Sequence, residues 1–100
     1  MIEELVAVRE YSDGEIVIKF SIIKPKPEQN YFFSHVLVDI DGLNSKRYKI
    51  VGVDSLHCLA LALMDCVFHI QVAASSSKNG LLFHGDRDLG LPDALLKALD

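Results

Sequence analysis

Between Val51 and Ile70 the chain reads VGVDSLHCLALALMDCVFHI, a run in which Asp54 and Asp65 are the only charged side chains. A run of that length and polarity admits a membrane span, a helix built around a metal, or the core helix of a small domain. On the insertion scale Asp65, near the middle, costs about 3 kcal/mol, roughly what seven Leu, Val, Phe and Ile residues recover at ~0.3–0.6 kcal/mol each. His57, His69 and Gln71 add to that cost. Insertion is unfavourable, and no membrane partner is expected.

A metal needs ligands that converge. Cys66 and His69 are three apart and share a helical face, but His57 is about 13 Å from Cys66 along the axis. Only His84, Asp86 and Asp88 stand elsewhere as further ligands, and neither a C-x-x-C pair nor H-E-x-x-H occurs. The reading is therefore no metal and no cofactor. Asp39 to Asp41, followed by Gly42, lacks the further oxygen ligands of a calcium loop and reads as a strand end at a turn. The core helix is left. Asp54 or Ser55 caps it, and Leu56, Leu59, Ala60, Leu63, Val67 and Ile70 recur at the spacing of one helical face.

Cys58 and Cys66, eight residues apart in that helix, are separated by about 12 Å and cannot pair. Glu3 and Glu4 follow Met1 at once, with no basic start or apolar segment, so no secretory signal is expected. Unpaired thiols then favour the cytoplasm.

Upstream the period is two rather than 3.6. Ile16, Ile18, Phe20 and Ile22 share one face of a strand, with Val17, Lys19, Ser21 and Ile23 on the other. A strand over Glu3 to Tyr11 precedes it through a Ser12-Asp13-Gly14 turn. KPKPEQN (Lys24 to Asn30) is expected as a loop because its prolines cannot donate to a ladder. Tyr31 to Ile40 and Arg47 to Val51 form two further strands around DGLNSK. After the helix, GLLFHG (Gly80 to Gly85) reads as a fifth short strand and Pro92 opens a short C-terminal helix through ALLKAL. The expected fold is α+β: an antiparallel sheet of about five strands, β-β-β-β-α-β, curled around one long helix. With no repeat or linker, residues 1–100 form a single domain. The inner face carries Ile16, Ile18, Phe20, Val36, Val38 and Leu63.

The same alternation puts Val17, Ile23, Phe33, His35 and Leu37 on the outer face of the sheet. That is more apolar than a solvated sheet face, and it predicts a homodimer through those residues. The net charge is −4 and the basic residues are scattered, which excludes nucleic acid as a partner because no patch can displace phosphate counterions. Asp65 and His69, at i and i+4, lack a nucleophile, so no catalytic residues are assigned. HGDRD concentrates polar groups after the last strand, making His84, Asp86 and Asp88 the candidate ligand-binding residues.

VGVDSLHCLALALMDCV together with NGLLFHGDRDLGLP resembles a family of small bacterial proteins carrying a domain of unknown function. Its marks are a four-strand meander, a G-V-D-S-L helix start and a late L-G-L-P segment. The resemblance covers the last half of the chain, and His57-Cys58 departs from it. It implies a bacterial cytoplasmic α+β domain without an assigned activity. The leading functional reading is a non-catalytic protein-interaction module, by analogy like an immunity protein. The alternative is a small-molecule-binding or metal-assisted enzyme using the His84 to Asp88 region.

Overall fold

The first half of the chain folds into five strands rather than four. The computed structural model describes residues 3–14, 16–42, 44–77, 80–83, 85 and 89–91. Strands β1 (Leu5–Asp13), β2 (Ile16–Ile23), β3 (Lys26–Glu28), β4 (Tyr31–Ile40) and β5 (Asn44–Gly52) are followed by helix α1 (Ser55–Ser76). All pairings are antiparallel. β1 pairs with β2, β2 and β3 both pair with one side of β4, and β5 takes the other side.

The extra strand lies inside KPKPEQN, where a loop is expected. β3 pairs only with β4, and Pro27 sits opposite Phe32. A proline is tolerated there because the other side of β3 is an edge with no ladder to complete. β3 continues the line of β2 after a break at Lys24–Pro25. At that break the buried Ser34 hydroxyl donates to the Ile23 carbonyl at 2.5 Å, supplying a partner to an acceptor away from water. The β1–β2 loop begins at Gly14, two residues later than expected, because Ser12 and Asp13 still pair with Val17 and Ile16. At the other hairpin Asp41 and Gly42 both have positive φ, and the Asp39 carboxylate accepts from the Gly42 N–H at 2.9 Å. The DIDG stretch is thus a turn closed by its own aspartate.

Ile18, Phe20, Ile22 and Val36 point to one face of the sheet, where Tyr11, Ala62, Cys66, Ile70 and Leu81 complete the core. Ile16 and Val38 pack on its margin. Asp54 caps α1, its carboxylate accepting from the His57 N–H at 2.7 Å. The helical face that meets the sheet is the expected one only in part: Val67 and Ile70 are buried and Leu59 packs against the core, but Leu56, Ala60 and Leu63 do not join them. Cys58, Ala62, Cys66, Val67 and Ile70 are buried, whereas Leu56 is 75% exposed and Ala60 and Leu63 are also exposed. Small side chains face the sheet and let the helix approach closely, which turns the bulkier leucines outward. Both cysteines are unpaired and serve as small core residues.

The molecule measures 19 Å along its shortest axis, about the thickness of one sheet plus one helix at ~10 Å each. The sheet therefore does not curl around α1 but covers one side of it. After α1 the expected fifth strand appears among the described residues as isolated bridging at Leu82 and Phe83 rather than as a ladder strand. Ser12 and Leu82 exchange N–H to carbonyl bonds of 2.9 and 2.7 Å, and Gly80 and Gly85, on either side of the segment, both have positive φ. The expected C-terminal helix falls on residues 92–100, outside the described residues.

Candidate functional site

α1 buries one stripe and leaves the rest of an apolar helix in water. Its only charged residue is Asp65. Leu56, Leu63, Met64, Phe68 and Val72 are exposed along it, and Val53, between β5 and α1, is exposed as well. A helix apolar on all sides is ordinarily enclosed on all sides. Here Leu56 and Val53 each keep three quarters of their surface in solvent.

Beside this face lies an open groove of about 450 Å³ between the edge of β5 and α1. Lys49, Ile50 and Val51 form one wall and Leu61, Met64, Asp65 and Phe68 the other, so the groove carries one cation and one carboxylate among apolar side chains. His69 packs nearby, stacked on Tyr48 with ring centroids 4.1 Å apart, edge-on to Phe68 at 5.5 Å, and with Nε2 3.1 Å from Asp65 Oδ2. This reproduces the Asp65–His69 spacing read from the sequence as a packed pair. Cys66, one residue from Asp65, turns into the core. Burial pushes its thiol up to about 11, and the neighbouring Asp65 charge adds to the rise. A nucleophilic thiolate needs the opposite shift.

The outer face of the sheet carries the five residues assigned to it, in a setting the alternation does not reveal. Val17 is exposed, Phe33, His35 and Leu37 are half-buried, and Ile23 is only 2% exposed. Ile23, paired with Leu5 on β1, is already covered within one chain and has no surface left to bury in a dimer. Charged side chains cross the rest. Arg47 donates to both carboxylate oxygens of Glu3 at 3.0 and 2.5 Å, Lys49 stands 5.2 Å over the Phe33 ring, and its Nζ is 3.9 Å from Glu28. The hydrogen bond from Arg47 holds the Glu3 carboxyl below its ordinary range. Burial lowers the affinity of His35 for its proton, and the Arg47 charge lowers it further.

His84, Asp86 and Asp88, the candidate ligand-binding residues, lie outside the described residues. Among the described residues no group of three or more His, Cys, Asp or Glu side chains converges on a metal-sized site. The exposed residues of α1 escape sequence reasoning, although their signal is present: a helix with one charged residue cannot be hidden by a single sheet face.

A two-layer antiparallel sheet and helix with apolar side chains left exposed on the helix defines an α+β domain. Over residues 5–93 the sequence matches the family described as "Domain of unknown function (DUF6968)", and the chain belongs to that family. No curated protein and no solved structure matches the chain.

Proposed function

We propose that this domain is a non-catalytic protein-interaction module whose contact surface is the solvent face of α1 together with the groove beside β5. The observation that carries this reading is the exposure of Leu56, Leu63, Met64, Phe68 and Val72 on a helix whose sole charge is Asp65. Large apolar side chains left in water along one element mark an association site. Lipid is a poorer occupant than protein. By length and composition α1 is apolar enough to cross a membrane, but a crossing helix would have to leave the sheet and uncover Phe20, Ile22 and Val36. Lying on a membrane surface calls for Lys and Arg along the helix, and α1 has neither. The unpaired buried thiols suit a reducing compartment such as the bacterial cytoplasm.

The test is a photoreactive amino acid placed at Phe68 or at Val17 in the full chain, irradiated in the native cell. Protein adducts at Phe68 support the reading. Adducts at neither position, adducts at Val17 alone, or stoichiometric zinc or iron in the purified protein would overturn it.

A further inference from the structure

We propose that β5 and the groove beside it take an extended segment of a partner protein as a further strand of the five-stranded sheet. That segment sets an acidic side chain beside Lys46 and apolar side chains at the next two alternate positions. The inference rests on the reading of the groove as part of the contact surface and adds the conformation and chemistry of what fills it.

The sheet ends on β1, β3 and β5, and the first two edges are blunted. β1 has a register shift between Leu5 and Ala7 and is bridged at Ser12 by Leu82. β3 is three residues long with Pro27 at its centre. β5 instead runs nine residues without a proline, in unbroken register with β4, and among the described residues no strand pairs with its other side. Such an edge holds out an N–H and a carbonyl at every second residue for another strand to complete.

A strand added there lies ~5 Å beyond β5, beneath the flank of α1 that forms the far wall of the groove. Leu61, Met64, Asp65 and Phe68 line that wall, at i, i+3, i+4 and i+7 of one helical face. From Leu61 to Phe68 is ~10 Å at 1.5 Å per residue, room for two side chains from one face of a strand, which stand ~7 Å apart. On β5 the face turned to the helix carries Ile50, Tyr48 and Lys46, because Tyr48 is opposite the buried Val36. Side chains of the added strand meet these three in turn: two apolar neighbours, then a cation. Lys49 borders the groove, but its Nζ is turned to the outer face, 5.2 Å over the Phe33 ring and 3.9 Å from Glu28. Asp65, 3.1 Å from His69, repels a second carboxylate at the two apolar positions.

Charge selects the occupant. β5 bears Lys46, Arg47 and Lys49 and no carboxylate, in a chain of net charge −4. Arg47 pairs with Glu3 and Lys49 with Glu28, whereas Lys46 has no ion pair among the described residues. Antiparallel pairing of two β5 edges would set these cations beside their own counterparts, which opposes it. The basic edge therefore rejects a second copy and admits an acidic strand. In strand addition the main chain supplies affinity and the alternate side chains specificity.

Panning a library of random linear peptides against the full chain tests the proposal. Enriched peptides are expected to carry an acidic residue and two apolar residues at successive alternate positions, and to shift the amide NMR signals of β5 but not of β1. Methylating the backbone nitrogens of a selected peptide one at a time should abolish binding at alternate residues only, since only those N–H groups face β5. Met64→Arg is expected to weaken binding about tenfold or more with the circular dichroism unchanged. Lys46→Glu should invert the charge preference, so that lysine replaces the acidic residue in the tightest peptide. No enrichment, apolar residues at helical spacing, shifts at β1, methylation effects without alternation, or an unchanged preference in Lys46→Glu overturns strand addition. The photoreactive Phe68 separates the two levels. Protein adducts there without strand-like peptides refute only the added strand, whereas the absence of both refutes the contact surface as well.

Discussion

Gly52, the last residue of β5, lies directly against the backbone of Cys58 in the first turn of α1. A methyl group at position 52 would stand 2.4 Å from the Cys58 nitrogen and 2.6 Å from its Cα. The obstacle is helix backbone, already fixed by the Asp54 cap and the Cys58 N–H bond to the Asp54 carbonyl at 3.0 Å, so no side chain can swing aside. Gly52→Ala is therefore expected to lower stability by about 3 kcal/mol, the upper range of overpacking, because α1 must lift from the sheet. Urea unfolding measures it, and a variant within about 0.5 kcal/mol of wild type, the range of harmless surface changes, would show that the close approach is not needed.

Arg9 and Tyr11 hold the chain that follows α1. The Arg9 guanidinium donates to the Leu89 carbonyl at 2.9 Å and the Gly90 carbonyl at 3.2 Å while lying 4.1 Å over Phe83, and the Tyr11 hydroxyl donates to Leu89 at 2.7 Å. Arg9→Met keeps the stem and removes the donors, with an expected loss of about 1–2 kcal/mol; Tyr11→Phe should cost about 1 kcal/mol. Hydrogen exchange gives the more specific readout. The Leu82 N–H, bonded to the Ser12 carbonyl, should exchange faster in Arg9→Met, whereas the amides of β4 should not change beyond the global loss. Equal acceleration of both would show that the segment is not held separately.

Much of this architecture is legible in the sequence, and the failures have physical causes. Alternation places Ile18, Phe20 and Ile22 inside and Val17 and Ile23 outside because a strand has only two sides. Gly52 and Asp54 mark the change of period because each does a task few residues can do. β3 is hidden because proline argues against a strand in general but not at an edge. The buried face of α1 is hidden because a period identifies a face only when the other face is polar, and here both are apolar. Small Cys58, Ala62 and Cys66 win the sheet side through closeness of approach, which hydrophobicity alone does not rank. What covers Ile23 and crosses Leu37 depends on partners such as Glu3 and Arg47, 44 positions apart, and no local pattern joins them.

Neither cysteine should react in the folded chain. Cys58 is fully buried and burial raises its thiol, while Cys66 rises from 9.0 to about 11. At pH 8 a thiol reagent is expected to label both only as fast as the chain opens. A raised thiol favours the folded state while it stays neutral, so this contribution is complete below pH 9 and is lost as the pH climbs from about 9 towards about 11. Denaturant titrations across that window should show falling stability in wild type and a shallower fall in Cys66→Ala. Immediate labelling of Cys66 in the native protein would contradict its placement in the core.

Acid should weaken the outer face of the sheet from two sides. His35 has its affinity for protons lowered, first by burial and then by Arg47, so the unfolded chain takes up a proton near His35's ordinary pKa of 6.5 when the folded chain does not. Stability tied to His35 is therefore present above that pH and declines as the pH falls below it. The Glu3 carboxyl is also lowered, by its hydrogen bond from Arg47. Its contribution is present above 4.5 and is lost as the pH falls further through the folded value. The expected profile declines first below about pH 6.5, then again in the carboxylate range. Arg47→Met removes the partner that holds Glu3 low and one of the charges that hold His35 low, so it should flatten both declines. An NMR titration of the His35 ring gives the direct check: its midpoint should lie below 6.5 in wild type and move upward in Arg47→Met. A midpoint at or above 6.5 in wild type would show that the ring is solvated, and that the ion pairs do not cover this face.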